Sequence, residues 1–201
     1  MVIIGSENMT NVRFTKDISP VFEYEIPKEL IDNAFLGAIE LFVANDTHKE
    51  NIDTESRYVI ANKNIDGSKI LTKVNFVSTV KSHIKNSKIG ELANYIEQLV
   101  KKMSLDHYSA DVNFKVQNST VLMYKGGDNI GKHNHFPYCF VAAIYLNMPE
   151  KASPVNLGES LEIHPKAGTC LIFPGNLYHE VKQTEADRIM ITMDIKVVIE
   201  D

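Results

Sequence analysis

Apolar residues recur at helical spacing in two stretches of the first half of the chain. The first stretch opens at Ile26-Pro27-Lys28-Glu29, where a proline and an acidic residue are typical of a helix's first turn, and it continues to Phe42. The second covers residues 88–103. Both patterns predict amphipathic helices, which need a neighbouring surface to cover their apolar faces. Between them, residues 57–61 predict a strand and residues 76–84 predict a third helix.

The second half of the chain has a different pattern, because its apolar residues alternate with polar ones or form short β-rich runs. Strands are predicted at residues 112–116, 121–124, 140–146, 161–163, 169–173, 179–182 and 188–198. Turn residues separate them, as in Gly126-Gly127-Asp128 and Pro174-Gly175-Asn176. Many short strands with regular turns are typical of a double-stranded β-helix, or jelly roll. The predicted fold is therefore mostly β, with the N-terminal helices packed on one sheet of the jelly roll.

No internal repeat and no Gly/Ser/Pro-rich linker divides the 201 residues, so a single domain is expected. Within that domain, residues 1–110 would form a helix-rich support and residues 111–201 the jelly-roll core. A chain of this length can bury a sizeable core without disulfides or a structural metal.

Composition and charge narrow the classes of partner. The formal net charge is −5 and the sequence pI is about 5.8. A general affinity for nucleic acid or for an anionic membrane needs a basic surface, so neither is expected. The two cysteines, Cys139 and Cys170, lie in apolar runs and are predicted to be core thiols, which fits a reducing compartment. No apolar run approaches the roughly 20 residues of a membrane span, and a cytoplasmic location is predicted.

Three of the seven histidines form a pattern that can bind a metal ion. His133 and His135 are two residues apart, and on a β-strand such residues project from the same face. His179 lies on another predicted strand, which a jelly roll can bring opposite the pair. Three ligands on one side of a metal ion leave positions open for substrate and O₂. Taken alone, a His-x-His pair is more often a solvated surface feature, so the interpretation depends on the residues around it.

The residues around these histidines occur in a recognisable order. They are Tyr124 before a glycine-containing turn, His133-Asn134-His135, Ile144-Tyr145-Leu146-Asn147, Pro165-Lys166-Ala167-Gly168, Leu171-Ile172-Phe173-Pro174, His179-Glu180-Val181 and Arg188. In this order, the segment from Tyr124 to Ile195 resembles the prolyl-4-hydroxylase-like branch of the 2-oxoglutarate- and Fe(II)-dependent oxygenases. The resemblance covers a little over a third of the chain, and the first hundred residues carry no motif of that family.

One position departs from the family pattern. Where the family has His-x-Asp or His-x-Glu, this chain has an imidazole, His135, in place of the carboxylate. A register that made His135 the first ligand would put Pro137 at the second position, and proline cannot bind a metal. Asp128, in the preceding turn, is an alternative carboxylate, although a turn residue is the better interpretation. Without a carboxylate ligand the metal would keep its full positive charge, which favours an anionic co-substrate.

The resemblance implies a metal-binding set and a residue for the co-substrate. His133, His135 and His179 would hold Fe(II). Arg188 would pair with the far carboxylate of 2-oxoglutarate through two parallel hydrogen bonds. The alternative for Arg188 is a strand-end surface residue paired with Asp187.

Three further residues are candidates for binding the co-substrate. Tyr145 could donate its hydroxyl to the same carboxylate as Arg188. Tyr124 could form a hydrogen bond near the metal-chelating end, and Thr192 is a weaker candidate of the same kind. The alternative for either tyrosine is a core aromatic with a satisfied hydroxyl.

The activity implied by the resemblance is that of a dioxygenase, a hydroxylase that uses Fe(II), O₂ and 2-oxoglutarate and releases succinate and CO₂. The substrate is unidentified, and a protein or peptide side chain, such as a prolyl residue, is favoured. A three-histidine cupin-like dioxygenase that does not use 2-oxoglutarate is the alternative enzyme, and succinate release would discriminate the two. A jelly roll that only binds a metal or a small ligand is the non-enzymatic alternative, which iron-dependent O₂ uptake would exclude.

Overall fold

The computed structural model describes residues 9–46, 58–63, 69–74, 76–78 and 81–199. The helices are α1 (Lys28–Asp46), α2 (Ser82–Lys85) and α3 (Ser87–Tyr108). The strands are β1 (Met9–Phe14), β2 (Pro20–Glu25), β3 (Tyr58–Lys63), β4 (Lys69–Val74), β5 (Phe76–Ser78), β6 (Asn113–Tyr124), β7 (Asn129–His133), β8 (Phe140–Asn147), β9 (Val155–Leu157), β10 (Leu161–Ile163), β11 (Thr169–Pro174), β12 (His179–Val181) and β13 (Arg188–Val198). Within these ranges, none of the helices is apolar over enough residues to cross a lipid bilayer.

The described strands form two antiparallel sheets that face each other. The larger sheet has seven strands in the order β1-β2-β11-β8-β13-β6-β5, and the smaller has six in the order β10-β9-β12-β7-β4-β3. Apolar side chains from both sheets meet in one interior core. Leu122, Tyr145 and Leu171 come from the larger sheet, and Val155 and Val181 come from the smaller one. This arrangement confirms the predicted jelly roll.

Helices α1 and α3 cover the outer face of the seven-stranded sheet. A second core lies between them and the sheet, and it contains Ala38, Leu92 and Ile96 of the helices with Ile144 and Ile191 of the strands. Both helices predicted from apolar spacing are therefore confirmed, and each continues beyond the last periodic residue.

Asn86 fixes the start of α3 and its contact with α1. Its side-chain oxygen accepts hydrogen bonds from the backbone N–H groups of Lys88 (3.0 Å) and Ile89 (3.3 Å), which is an N-cap arrangement. Its amide nitrogen donates to Glu40 of α1 at 2.8 Å. A Cβ at Gly37 would lie 2.5 Å from the Asn86 oxygen, so a larger residue at position 37 would displace the Asn86 side chain from its capping position.

The third helix predicted over residues 76–84 is wrong in its first part. Phe76–Ser78 forms the edge strand β5 and pairs antiparallel with residues 121–123 of β6. Helical structure in this region is limited to α2, over Ser82–Lys85, and residues 79–80 lie outside the described ranges. A short apolar run fits either a strand or a helix by periodicity, and here the open edge of β6 offers hydrogen-bond partners that favour the strand.

The first half of the chain supplies strands as well as helices. The strand predicted over residues 57–61 is observed as β3, over Tyr58–Lys63, and Arg57 lies outside the described residues. Strands β1, β2 and β4 did not stand out in the sequence, yet β2 pairs with β11 and β4 pairs with β7. Residues before 110 therefore extend both sheets of the jelly roll.

Candidate metal centre

His133 is the last residue of β7, and a β-bulge aims it into the interior. Its partner across the sheet is His179, whereas Ile130 pairs with Val181, so three residue steps on β7 match two steps on β12. Ile130 and Val181 both belong to the interior core. In a regular strand, residues three positions apart project from opposite faces. The extra residue in β7 therefore puts His133 on the same face as Ile130.

His179 is the first residue of β12 and lies directly opposite His133. The two ring centroids are 4.2 Å apart. The ring also packs edge-on against Phe173 of β11, with centroids 4.9 Å apart. His179 is 7% exposed, so its imidazole is the most deeply buried of the three.

His135 lies in the loop after β7, not on the strand as predicted. Its backbone N–H donates to the carbonyl of Gly175 at 2.7 Å, and the N–H of Gly175 donates to the carbonyl of Cys139 at 3.0 Å. A Cβ at Gly175 would lie only 2.1 Å from the carbonyl oxygen of Tyr138. Backbone pairing with the segment before β12 therefore places His135, and this contact requires a glycine at position 175.

The three imidazoles converge on one point. One ring nitrogen from each of His133, His135 and His179 lies within 4.8 Å of the other two. The Nδ1 atoms of His133 and His179 donate to the backbone carbonyls of Gly131 (2.8 Å) and Leu177 (3.1 Å), which leaves Nε2 free for a ligand bond. Nε2 of His135 is buried and has no hydrogen-bond partner among the described residues.

Burial keeps two of these rings neutral. Desolvation lowers the pKa of His133 to about 4, and the adjacent His135 adds to the effect. Desolvation also holds the pKa of His179 well below its usual value, with further lowering from His133 and His135. Neutral imidazole is the form that binds a metal ion. Three oriented nitrogen donors with an unpartnered buried atom among them fit a divalent transition metal such as Fe(II).

Arg188 begins β13 and is fully buried. One terminal nitrogen, Nη1, donates to the carbonyl of Ser153 at 2.7 Å, and the guanidinium carbon lies 4.3 Å from the ring centroid of Tyr124. Nε and Nη2 have no hydrogen-bond partner among the described residues. The alternative pairing with Asp187 is not observed, because that carboxylate accepts from Lys125 at 2.5 Å instead.

Two tyrosine hydroxyls lie near this guanidinium. Tyr124 and Tyr145 are both buried, and neither hydroxyl has a hydrogen-bond partner in the described residues. Desolvation raises the pKa of each, and the charge of Arg188 opposes that rise in both. The charge of Arg188 thus limits the rise in the pKa of Tyr124, although the two side chains do not reach hydrogen-bond geometry. Among the described residues, therefore, neither tyrosine fits the alternative of a core aromatic with a satisfied hydroxyl.

The Arg188 group and the histidines share one interior. Tyr124, Tyr145 and Phe173 belong to the same core, and Phe173 contacts His179. In the described part of the chain, the Arg188 cation has two N–H-bearing nitrogens without a partner, and two nearby hydroxyls also lack one. Such a set fits an anionic carboxylate. A small molecule with a carboxylate at one end and metal-chelating oxygens at the other, such as 2-oxoglutarate, matches these two groups of residues.

Thr192 and Asp194 follow Arg188 on β13. Ile189, Ile191, Met193 and Ile195 belong to the core under the helices, whereas Met190 belongs to the interior core. By alternation, Thr192 and Asp194 share the interior side with Arg188. Both are half-buried, and among the described residues Thr192 forms no hydrogen bond with the guanidinium.

Asp194 was not identified from the sequence, although its carboxylate oxygen lies 2.5 Å from Nδ1 of His135. An acidic residue in a predicted core strand, in alternation with Arg188 and Thr192, was the signal that could have found it. The proposed alternative ligand, Asp128, is not in the histidine cluster. Its carboxylate accepts from the backbone N–H of Lys125 at 2.7 Å, as expected of a turn residue.

The remaining candidate side chains lie away from the cluster. His164 is exposed beside Glu162 (3.3 Å). Cys170 is buried in the core under the helices as predicted, but Cys139 is exposed, so the prediction of a second core thiol is wrong. Cys139 belongs to the loop before β8, where its carbonyl accepts from the N–H of Gly175, and it is not part of the buried strand.

No family model matches the sequence, and no curated protein matches it. Solved structures do. A prolyl-4-hydroxylase from Pseudomonas putida has a TM-score of 0.56 at 11% identity, covering 88% of this chain and 91% of that one. A prolyl hydroxylase from Trichoplax adhaerens, in complex with a peptide fragment of the hypoxia inducible factor oxygen degradation domain, has a TM-score of 0.59 at 16% identity, covering 88% and 83%.

A third structure is a viral collagen prolyl hydroxylase from Paramecium Bursaria Chlorella virus-1, solved as a 2OG complex. Its TM-score is 0.56 at 11% identity, and the match covers 90% of this chain and 96% of that one. Identities this low show the fold alone. The jelly roll described above is therefore the fold of prolyl-4-hydroxylases and other 2OG-Fe(II) oxygenases.

Proposed function

We propose that this protein is a 2-oxoglutarate- and Fe(II)-dependent dioxygenase that hydroxylates a substrate and releases succinate and CO₂. The observation that carries the proposal is the fully buried Arg188, whose Nε and Nη2 have no hydrogen-bond partner among the described residues. Its charge acts on the hydroxyls of Tyr124 and Tyr145, which are equally without a partner in that part of the chain. Buried polar groups without partners cost free energy, so such a set is expected where a ligand completes it. The histidine cluster in the same interior supplies the metal end of that ligand's site.

The chain's residues would bind, orient and shield the reacting groups. His133, His135 and His179 would hold the metal through Nε2, while Arg188 and Tyr145 would bind the far carboxylate of 2-oxoglutarate. Fe(II) with 2-oxoglutarate would supply the activation of O₂ and the oxidation of the substrate. Arg188 is fully buried, and charge pairing is stronger at a buried site than at an exposed one.

The proposal extends to the class of substrate, a protein or peptide side chain. Its support is the fold shared with prolyl hydroxylases, one of which was solved with a peptide fragment bound. A proline-containing peptide incubated with the Fe(II)-loaded protein, O₂ and 2-oxoglutarate should gain one oxygen atom by mass spectrometry. An unmodified peptide alongside steady succinate formation would redirect the search to small molecules.

The central test is an anaerobic titration of the Fe(II)-loaded protein with 2-oxoglutarate, followed by its visible metal-to-ligand charge-transfer band. A band that appears and saturates would establish that both bind at one centre. Iron binding without such a band would favour the three-histidine dioxygenase that does not use 2-oxoglutarate.

His179→Ala should abolish iron binding, the charge-transfer band and turnover, because it removes one of three ligands. His164→Ala is the matched control, since that ring is exposed and lies outside the cluster. Both variants can be compared by iron content after anaerobic desalting. Retained iron and turnover in His179→Ala would contradict the assignment.

A further inference from the structure

The second ring nitrogen of His135 has a partner unlike those of the other two histidines. Nδ1 of His133 and of His179 meets a neutral backbone carbonyl. Nδ1 of His135 instead lies 2.5 Å from Oδ1 of Asp194, a residue 59 positions further along the chain. In the family that this chain resembles, a carboxylate stands at the position of His135. His135 is also the histidine of the cluster whose ring contacts a carboxylate.

The surroundings hold this carboxylate in place. Asp194 and His135 are each 16% exposed at the side chain, so their contact is largely withdrawn from water. The other carboxylate oxygen of Asp194 accepts from the amide of Asn118 at 3.4 Å. The Asn118 amide also lies 2.6 Å from the hydroxyl of Tyr138, which belongs to the loop that carries His135. Strand β6, strand β13 and the loop are thus joined around one acid.

The contact with Asp194 determines which ring nitrogen of His135 carries the proton and which is available to bind a metal ion. A carboxylate oxygen at this distance accepts the hydrogen bond of an imidazole N–H, which assigns the ring proton to Nδ1. Nε2 then keeps its lone pair, and it is the buried atom that has no hydrogen-bond partner in the part of the chain that the structure describes. A carboxylate on the far side of a ligand imidazole also raises its basicity and strengthens metal binding.

We propose that Asp194 is a positioning residue of the metal centre. It fixes the tautomer and orientation of His135, and it supplies, one ring away from the metal, the negative charge that a directly bound carboxylate would bring. This inference rests on the proposed metal site, and it changes the earlier expectation that the site lacks a compensating carboxylate.

Two substitutions separate the two contributions of Asp194. Asp194→Asn keeps the volume and an oxygen acceptor but removes the charge, whereas Asp194→Ala removes both. Asp111→Asn is the matched control, because it removes an exposed carboxylate that pairs with Lys101 (3.4 Å). Co(II), titrated alone and followed by its visible absorption, is the probe.

We expect Asp194→Asn to weaken Co(II) binding about tenfold, Asp194→Ala to weaken it about a hundredfold, and Asp111→Asn to leave it unchanged. Wild-type affinity in both Asp194 variants would overturn the role of Asp194 while leaving the metal site intact. Failure of the wild-type protein to bind Co(II) would overturn the metal site and this role together.

The tautomer is measured in the metal-free protein by ¹⁵N NMR of labelled histidine, with His135→Gln used to assign the signals. The wild-type protein and Asp194→Asn should show a proton on Nδ1 of His135, and Asp194→Ala should lose that preference. A proton on Nε2 in the wild-type protein would overturn the inference. This readout does not depend on activity, and a residue that only stabilised the fold would not change it.

Discussion

Arg188 is the residue whose environment is hardest to explain without a ligand. A guanidinium fully removed from water is expensive unless charged or polar partners surround it. The described chain offers it the carbonyl of Ser153, the sulfur of Met148 at 4.0 Å and the ring face of Tyr124. A desolvated cation–π contact is worth about 2 kcal/mol, which offsets only part of the cost of burying an ion. An anionic ligand would provide the remainder.

Arg188→Met should weaken 2-oxoglutarate binding more than tenfold, because truncating one partner of a buried charge pair costs roughly 2–5 kcal/mol. The charge-transfer titration measures the affinity, and calorimetry with the metal-loaded protein checks it. Arg13→Met is the control, since Arg13 is a part-exposed arginine paired with Glu23 at 3.4 Å. An unchanged affinity in Arg188→Met would move the co-substrate site elsewhere.

At the scale of elements, two irregularities shape the histidine cluster. The bulge in β7 turns His133 toward the interior. The loop after β7 pairs with the segment before β12 through Gly175 and so carries His135 toward the same point. Regular strands would place alternate residues on one face, but they would not bring three histidines from two chain segments within ligand distance.

Gly175→Ala should reduce Fe(II) or Co(II) affinity at least tenfold while the protein stays folded by circular dichroism. The new Cβ would lie 2.1 Å from the Tyr138 carbonyl oxygen, so the loop carrying His135 must move. A displacement on the order of 1 Å is enough to impair a site of this kind. Gly168→Ala is the control, because a Cβ there meets nothing within 4 Å and adds only the strain of a positive φ. Equal metal affinity in the two variants would contradict this role for Gly175.

At the scale of the whole molecule, the seven-stranded sheet separates two hydrophobic cores that have different roles. The seven-stranded sheet packs its outer face on α1 and α3, which gives an apolar structural core. Its inner face contributes to the core that holds Arg188's neighbours and borders the histidines. The buried, neutral histidines also link the stability of the whole molecule to pH.

The metal-free protein should lose stability as pH falls from about 6.5 toward 4. The folded pKa of His133 is about 4, below the 6.5 of an unperturbed imidazole, and that of His179 is lowered as well. The unfolded chain then binds more protons than the folded chain in this window. The stabilisation is complete above pH 6.5 and is lost progressively below it.

Thermal melting temperatures between pH 7 and 4.5 test this expectation. A His133→Asn/His179→Asn double variant removes both buried imidazoles and should show a shallower fall than the wild-type protein. Identical slopes in the two proteins would mean that these histidines do not govern the acid sensitivity.

Much of this protein can be predicted from local patterns in its sequence. The spacing of apolar residues gave α1 and α3, and the alternation after residue 111 gave most of the jelly-roll strands, because both depend on neighbours within a few positions. The ordered motifs also marked the three histidines, Arg188 and the two tyrosines as candidates. The roles of these residues remain proposals, although the structure brings the histidines together and buries the arginine.

Only the tertiary structure decided the features that depend on distant partners. The strand at Phe76–Ser78 forms because β6 offers an edge to pair with. His135 reaches the cluster through a backbone contact with Gly175, which is 175 − 135 = 40 positions further along the chain. Asp194 meets its histidine across 59 positions. The periodicity of apolar residues indicates which face of a helix or strand is buried. It does not record which distant segment lies against that face, because chain folding, and not local preference, makes those contacts.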